Sequence, residues 1–165
     1  MPRGKRKIGV IVPIGILVVV LDQLSKLIFS RILPFNYSIP VIENIFHLTL
    51  IHNTGIAFGA LRGNSKTILI VTLIGLGLIV YSLRKDLLNL KYSLSPNTLF
   101  IRKLAIGFII GGAIGNMIDR IRLGYVIDFL DFRIWPVFNL ADSFITIGAV
   151  ILFWNLFISD KLAKR

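Results

Sequence analysis

The sequence predicts a membrane protein, an all-α bundle of four transmembrane helices with a small extracytoplasmic β-sheet. Of its 165 residues, 55% are hydrophobic and only 16% are charged, which is too few charges for the surface of a soluble domain of this size. The apolar residues also form runs of about 18 or more, long enough to cross a hydrocarbon core about 30 Å thick. In one connecting stretch, the side chains instead alternate between two faces, as they do in a half-buried β-strand.

Four apolar runs predict spans at about residues 8–30, 67–83, 99–118 and 140–159, within a single domain that covers residues 1–165. No small-residue cleavage site follows the first run, so we interpret it as a retained span rather than a signal peptide. The third run contains Gly107, Gly111, Gly112 and Gly115. Small residues at this spacing let helices approach closely in lipid, which predicts tight packing around this span.

The segment at about residues 31–66 is less hydrophobic and predicts external β structure. Within it, Ile45–Asn53 alternates between two faces and is rich in β-branched and aromatic residues. We therefore expect a small sheet on the outer membrane surface.

The basic residues predict the orientation of the chain. The net charge is +11, and 12 of the 19 Lys and Arg residues lie in three tracts: Arg3, Lys5, Arg6, Lys7; Arg84, Lys85, Lys91, Arg102, Lys103; and Lys161, Lys164, Arg165. Cationic loops stay in the cytoplasm. A chain with four spans and both termini in the cytoplasm places all three tracts on that side of the membrane. No separate basic domain with interleaved aromatic residues indicates a nucleic-acid partner.

Asp22 and Lys26 are the first ionisable residues inside a predicted span. They are four residues apart, share a helix face and can pair. Asp22 lies about 21 Å from the cytoplasmic edge, at a depth where a charge must pair, face a cavity or do chemistry. A catalytic role and a buried ion pair that locks helix packing are both possible, and we favour the ion pair because Lys26 would keep Asp22 ionised and occupied.

Three polar residues, Asn116, Asp119 and Arg120, end the glycine-rich span. They are consistent with an ordinary helix end or with a binding face, and spacing does not separate these alternatives. A planar guanidinium at this position would suit a backbone carbonyl, a lipid ester or a phosphate.

The stretch Tyr125–Ile134 alternates and carries two aspartates on opposite faces. Asp131 shares a face with Arg133 and is expected to reach water, whereas Asp128 lies on the apolar face. Since desolvation raises the pKa of a carboxyl group, Asp128 is the one suited to proton transfer, although an interfacial carboxylate without a catalytic role remains an alternative.

Asn139 and Asp142 precede and open the fourth span. Their spacing fits an N-cap and its partner at the third helical position, and this explanation is as good as catalysis. The presence of Asp128 favours a catalytic role for Asp142, because both aspartates belong to the outer mouth of the bundle. Two carboxyls in one apolar site hold a proton between them, so one can activate water while the other donates to the oxyanion.

This chemistry needs no metal, cofactor, cysteine or serine, and the chain has no cysteine. His47 and His52 lie on opposite faces of the predicted strand, without a third ligand nearby, so we expect surface residues rather than a metal site. Two other functional classes remain. A small transporter should carry charges through the full membrane depth, but the second span has none between Lys66 and Arg84. A non-enzymatic anchor would use Asp142 only as a cap.

Five motifs stand in the order found in lipoprotein signal peptidases (signal peptidase II): Asp22-Gln-Leu-Ser-Lys26, Asn53-Thr-Gly-Ile-Ala-Phe58, Gly111-Gly-Ala-Ile-Gly-Asn-Met-Ile-Asp-Arg120, Val126-Ile-Asp-Phe129 and Phe138-Asn-Leu-Ala-Asp142. The resemblance covers the whole chain. It implies an aspartic endopeptidase of the bacterial inner membrane, with its active site toward the outer leaflet. It also implies no cofactor and a monomeric enzyme.

The resemblance assigns roles to individual residues. It makes Asp128 and Asp142 the catalytic pair, assigns substrate binding to Asn53, Gly55, Asn116, Arg120 and Asn139, and gives Asp22 and Lys26 a structural role. The implied substrate is a prolipoprotein whose cysteine carries a diacylglyceryl group, and the cut falls just before that cysteine. Membrane lipid and a globomycin-like cyclic peptide inhibitor are the other implied partners.

Overall fold

A computed structural model describes residues 9–55, 65–89 and 95–163. The basic tract at residues 3–7, positions 56–58 of the second motif and the last two residues lie outside them. Within them the chain forms four helices and three strands: α1 (Ile11–Ile32), β1 (Ser38–Ile42), β2 (Phe46–Asn53), α2 (Ser65–Asn89), α3 (Pro96–Leu123), β3 (Val126–Asp131) and α4 (Leu140–Ala163). The predicted combination of four helices and a small sheet is confirmed.

Two of the described helices, α1 and α3, are long and apolar enough to cross a membrane, with mean hydropathies of 2.0 and 1.6 over their most apolar stretches. The other two contain shorter apolar segments, Thr67–Ile79 and Leu140–Asn155. Large apolar side chains are exposed on all four helices, as a lipid-facing surface requires. This exposure fits the membrane class that the composition predicts.

Helix α3 packs against each of the other three helices. Its glycines allow the close approach that the sequence predicts: a Cβ added at Gly112 would lie 2.5 Å from the backbone oxygen of Ala141 on α4. The helix ends at Gly124, whose φ of 81° belongs to the left-handed region and whose N–H bonds to the Arg120 oxygen. This turn sends the chain directly into β3, so the end of α3 and the start of β3 lie together.

The three strands form an antiparallel sheet in the order β1-β2-β3. The predicted strand at residues 45–53 is confirmed as β2, and the alternating stretch after α3 contains β3. Ile51 lies opposite Asp128, after an irregularity that separates this pair from Leu48 and Leu130. The segment before α4 extends the sheet through bonds between Phe138 and the backbone of β3, of 2.8–3.0 Å. Residues 128 and 139 are thereby brought side by side.

A small apolar core attaches the sheet to the helices. Leu33, Leu50 and Phe129 are buried together, and the Phe129 ring stacks on Phe29 of α1 with centroids 4.3 Å apart. Because Phe129 directly follows Asp128, this stacking also restrains the candidate catalytic strand.

We predict that Phe129→Ala lowers the free energy of unfolding by about 3–5 kcal/mol, because a fully buried ring leaves a cavity behind. Phe100→Ala is the control, since its ring is 51% exposed on α3. The measurement is unfolding of both purified variants in the same detergent. Equal losses of stability would contradict the role given to this core.

Candidate active site

Asn139 connects the two aspartates that the sequence singles out. Its side-chain Oδ1 accepts the backbone N–H of Asp142 at 2.9 Å, and Asp142 Oδ2 accepts the backbone N–H of Asn139 at 3.4 Å. The predicted capping pair is therefore confirmed. The same side chain donates from Nδ2 to Asp128 Oδ1 at 2.7 Å. Asn139 thus caps α4 and also holds Asp128 near Asp142, so the capping role does not exclude a role in the site.

Each of the two carboxyl groups receives a second side-chain amide. Asn53 of β2 donates from Nδ2 to Asp128 Oδ2 at 2.9 Å, and Asn116 of α3 donates from Nδ2 to Asp142 Oδ1 at 2.7 Å. The Oδ1 of Asn116 accepts in turn from Asn139 Nδ2 at 2.9 Å. Three asparagines from three different elements therefore hold both aspartates in one hydrogen-bonded cluster.

Asp128 is the more deeply enclosed of the two aspartates. Its exposed fraction is 1%, whereas Asp142 is half-buried. Burial and the nearby charge of Asp142 raise the pKa of Asp128 to about 7, although the hydrogen bonds from Asn53 and Asn139 act in the opposite direction. The expectation that Asp128 is desolvated is confirmed. A carboxyl with this pKa exchanges its proton near neutral pH.

An apolar cavity of about 450 Å³ opens beside Asp142. It is lined by Phe132, Ile134, Trp135, Phe138, Ser143, Thr146 and Ile147. The aspartate therefore lies between a polar cluster and a space that suits an apolar group.

Arg120 joins α3 to the segment that follows β2. Its Nη2 donates to the backbone oxygen of Gly55 at 3.3 Å, and the Gly55 N–H bonds to Asn53 Oδ1 at 2.9 Å. The Asn53 side chain is thus held at both ends, by Gly55 and by Asp128. The five predicted substrate-binding residues all gather around the two aspartates, and their contact with a substrate stays a prediction.

The predicted pairing of Asp22 with Lys26 is confirmed, with Nζ and Oδ2 2.8 Å apart and both side chains buried. Sequence reasoning missed a second partner, Asp119, whose Oδ2 lies 2.9 Å from the same Nζ. Asp119 lies in the last two turns of α3, and its carboxylate turns inward toward Lys26 of α1. Its position three residues after Asn116, on the same helix face, was the available signal.

Two expectations about the sheet are wrong. Asp131 is only 5% exposed, because Thr49 and both the backbone and side chain of Arg133 donate to its carboxylate. Burial raises its pKa, but these hydrogen bonds outweigh burial and leave the pKa below its ordinary value. His47 is half-buried, with Nδ1 2.9 Å from Ser38 Oγ.

His52 is exposed as expected, and its ring stacks on Tyr125. Within the described ranges, no group of three or more His, Asp or Glu side chains could hold a metal ion.

Comparisons with known proteins agree with the motifs. A family model described as signal peptidase (SPase) II matches residues 14–158. A lipoprotein signal peptidase of Halothermothrix orenii is 42% identical over 147 residues, covering 89% of this chain and 94% of the relative. One of Moorella thermoacetica is 44% identical over 143 residues, covering 87% and 89%. A solved structure of a bacterial membrane enzyme superposes with a TM-score of 0.79 at 34% identity, covering 95% of this chain and 92% of the other.

We predict that Asn53→Ala raises the pKa of Asp128 above about 7, because the variant loses a hydrogen bond that favours the ionised carboxyl. The measurement is a carbon NMR titration of labelled aspartate in detergent. Ser143→Ala serves as the control, since its hydroxyl bonds only to the backbone oxygen of Asn139 among the described contacts. An unchanged or lowered pKa in Asn53→Ala would contradict the prediction.

Proposed function

The chain belongs to the signal peptidase II family, and from this membership we propose that it is an aspartic endopeptidase that removes signal peptides from prolipoproteins. The proposed substrate carries a diacylglyceryl group on the cysteine that follows the scissile bond. The proposed catalytic pair is Asp128 and Asp142. The single observation that carries the proposal is the hydrogen-bonded cluster in which Asn139 contacts both carboxyl groups.

In the proposed reaction, Asp128 holds the shared proton and Asp142 is ionised. Asp142 takes a proton from water as the water oxygen attacks the scissile carbonyl carbon, and Asp128 donates its proton to the developing oxyanion. When the tetrahedral intermediate collapses, the carbon–nitrogen bond breaks and the proton held by Asp142 passes to the leaving amine. Asp128 then recovers the hydroxyl proton as the new carboxyl group forms. The pKa of Asp128 near 7 supports its role as the proton donor.

The surroundings of the pair support a lipid-linked peptide as substrate. The apolar cavity beside Asp142 would take an apolar part of the substrate, and the guanidinium of Arg120 lies at the edge of the cluster, where a peptide carbonyl would pass. Asn53, Gly55, Asn116, Arg120 and Asn139 are the proposed binding residues. A globomycin-like cyclic peptide would compete for the same space.

The proposed topology has four spans in a single domain over residues 1–165, with both termini in the bacterial cytoplasm. The sheet and the cluster lie at the same end of the bundle, where α1 and α3 end and α4 begins. In the sequence, the basic tracts adjoin the start of α1, the start of α3 and the end of α4, which are the opposite ends of these helices, and this supports an extracytoplasmic position for the cluster. The lipidated cysteine of the substrate would be anchored in the outer leaflet, and the scissile bond just before it would then lie at the level of the cluster. We propose that the enzyme acts as a monomer.

Asp128→Asn and Asp142→Asn are each predicted to lower cleavage of a lipidated prolipoprotein by about 10²–10⁴-fold or more, because each removes one half of the proton transfer. The measurement is a gel-shift assay with purified protein. Asp131→Asn is the matched control, since Asp131 lies on the same strand and bonds to Thr49 and Arg133 instead of the cluster. Wild-type turnover by either of the first two variants would rule out the dyad.

Unlipidated precursor is predicted to be cut at least about tenfold more slowly than lipidated precursor, because the acyl chains hold the scissile bond at the depth of the cluster. The measurement compares initial rates for the two precursors at equal surface concentration in the same vesicles. Equal rates would refute the proposed position of the site in the outer leaflet.

A further inference from the structure

The Lys26 ammonium group uses all three of its N–H bonds inside the bundle. It contacts Asp22 Oδ2 at 2.8 Å, Asp119 Oδ2 at 2.9 Å and Asn116 Oδ1 at 2.9 Å. Lys26 is 2% exposed, and none of these three partners is more than 7% exposed. A lysine has only three donors, so each has one acceptor and none is left for a substrate.

The first partner holds the backbone beside Asp142. The second carboxylate oxygen of Asp22, Oδ1, accepts the N–H of Ala141 at 3.0 Å. Ala141 is the second residue of α4, where backbone N–H groups have no partner within the helix. Asp22 of α1 therefore holds the residue that directly precedes Asp142.

The second partner holds the backbone beside Asp128. The Oδ2 of Asp119, which contacts Lys26, also accepts the N–H of Ile127 at 3.2 Å. Ile127 directly precedes Asp128 on β3. The two carboxylates that share Lys26 thus hold equivalent positions, each bonding the N–H one residue before a candidate catalytic aspartate.

The third partner contacts the dyad through its side chain. Only the oxygen of an amide can accept from an ammonium group, so Lys26 determines which way the Asn116 amide points. With Oδ1 toward Lys26, Nδ2 faces Asp142 and donates to it at 2.7 Å. Rotation of this amide would turn an oxygen toward the carboxylate.

We propose that Asp22, Lys26, Asn116 and Asp119 form a clamp that sets the separation and orientation of Asp128 and Asp142. Lys26, Asp22 and Asp119 are positioning residues in this proposal, since they act through Ala141, Ile127 and Asn116 and touch no reacting atom. The inference rests on the proposed function of the aspartate pair. It assigns to the buried ion pair a catalytic consequence beyond helix packing.

Glycine substitutions at the α1–α3 interface test the clamp without changing a charge. A Cβ added at Gly115 would lie 2.5 Å from Asp22 Oδ2, so Gly115→Ala must displace this carboxylate. A Cβ at Gly15 in the same interface would meet nothing closer than 3.7 Å, so Gly15→Ala is the matched control. Both changes have the same effect on helix propensity.

The experiment uses the full chain in vesicles with a lipidated prolipoprotein, and it measures kcat, KM and the pH profile of kcat/KM for folded enzyme. Gly115→Ala is expected to lower kcat roughly 10²-fold with little change in KM, because a misplaced catalytic group costs about this much. The two limbs of the pH profile are expected to converge, since separated carboxyls are less coupled. Gly15→Ala is expected to match the wild type.

A second comparison covers the case in which Gly115→Ala fails to fold. In Asp119→Asn, an amide oxygen at the Oδ2 position can still accept from Lys26 and Ile127, whereas Asp119→Ala loses both bonds. The clamp predicts at least a tenfold higher kcat for Asp119→Asn than for Asp119→Ala per folded molecule.

A purely structural role predicts a different result. Gly115→Ala and Asp119→Ala would then yield less folded protein, but with wild-type kcat and unshifted pH limbs, and this outcome would overturn the clamp. If Asp128→Asn and Asp142→Asn are inactive in the same assay while the clamp variants behave as wild type, only the clamp fails. If the two dyad variants keep wild-type turnover, the proposed function fails and the clamp with it.

Discussion

The site depends on the hydrogen bonds made by the fully buried side-chain amide of Asn139. A polar side chain at 0% exposure must have hydrogen-bond partners, and this one finds them in the first turn of α4, in α3 and in β3. Because a buried donor or acceptor without a partner costs free energy, these elements cannot separate unless other groups replace the lost hydrogen bonds. The requirement that holds the fold together is therefore the same one that brings Asp128 beside Asp142.

Burial has different consequences for two pairs of carboxyl groups, Asp22 with Asp119 and Asp128 with Asp142. Asp22 and Asp119 share Lys26, whose ammonium group contacts one carboxylate oxygen of each, and both accept backbone N–H groups as well. Asp128 has only amide donors and a second carboxyl nearby, so burial raises its pKa toward neutrality. Buried acids in one bundle thus take different roles according to whether a cation faces them. The proposed reaction requires this difference, because Asp128 must give up and recover a proton.

Local spacing was sufficient to predict the contacts that occur within one element. Asp22 and Lys26 are one helical turn apart, and Asn139 caps the helix in which Asp142 is the third residue, so periodicity alone pairs them. The bonds from Lys26 to Asp119 and from Asn53 to Asp128 join residues 93 and 75 positions apart. No periodicity relates such residues. The errors at Asp131 and His47 have the same origin, because alternation gives the face of a strand but not what covers that face.

Composition and the lengths of the apolar runs determined the membrane class and the four helices, and the alternation in one connection determined the small sheet. Burial of apolar surface and hydrogen bonding of the backbone limit a chain of this kind to few arrangements. The order of the motifs determined the family. The tertiary structure alone decided that three asparagines hold the two aspartates and that Lys26 links α1 to both of them. These contacts depend on how α1, α3, α4 and β3 pack at one end of the bundle, and the close approach at Gly112 and Gly115 becomes visible only there.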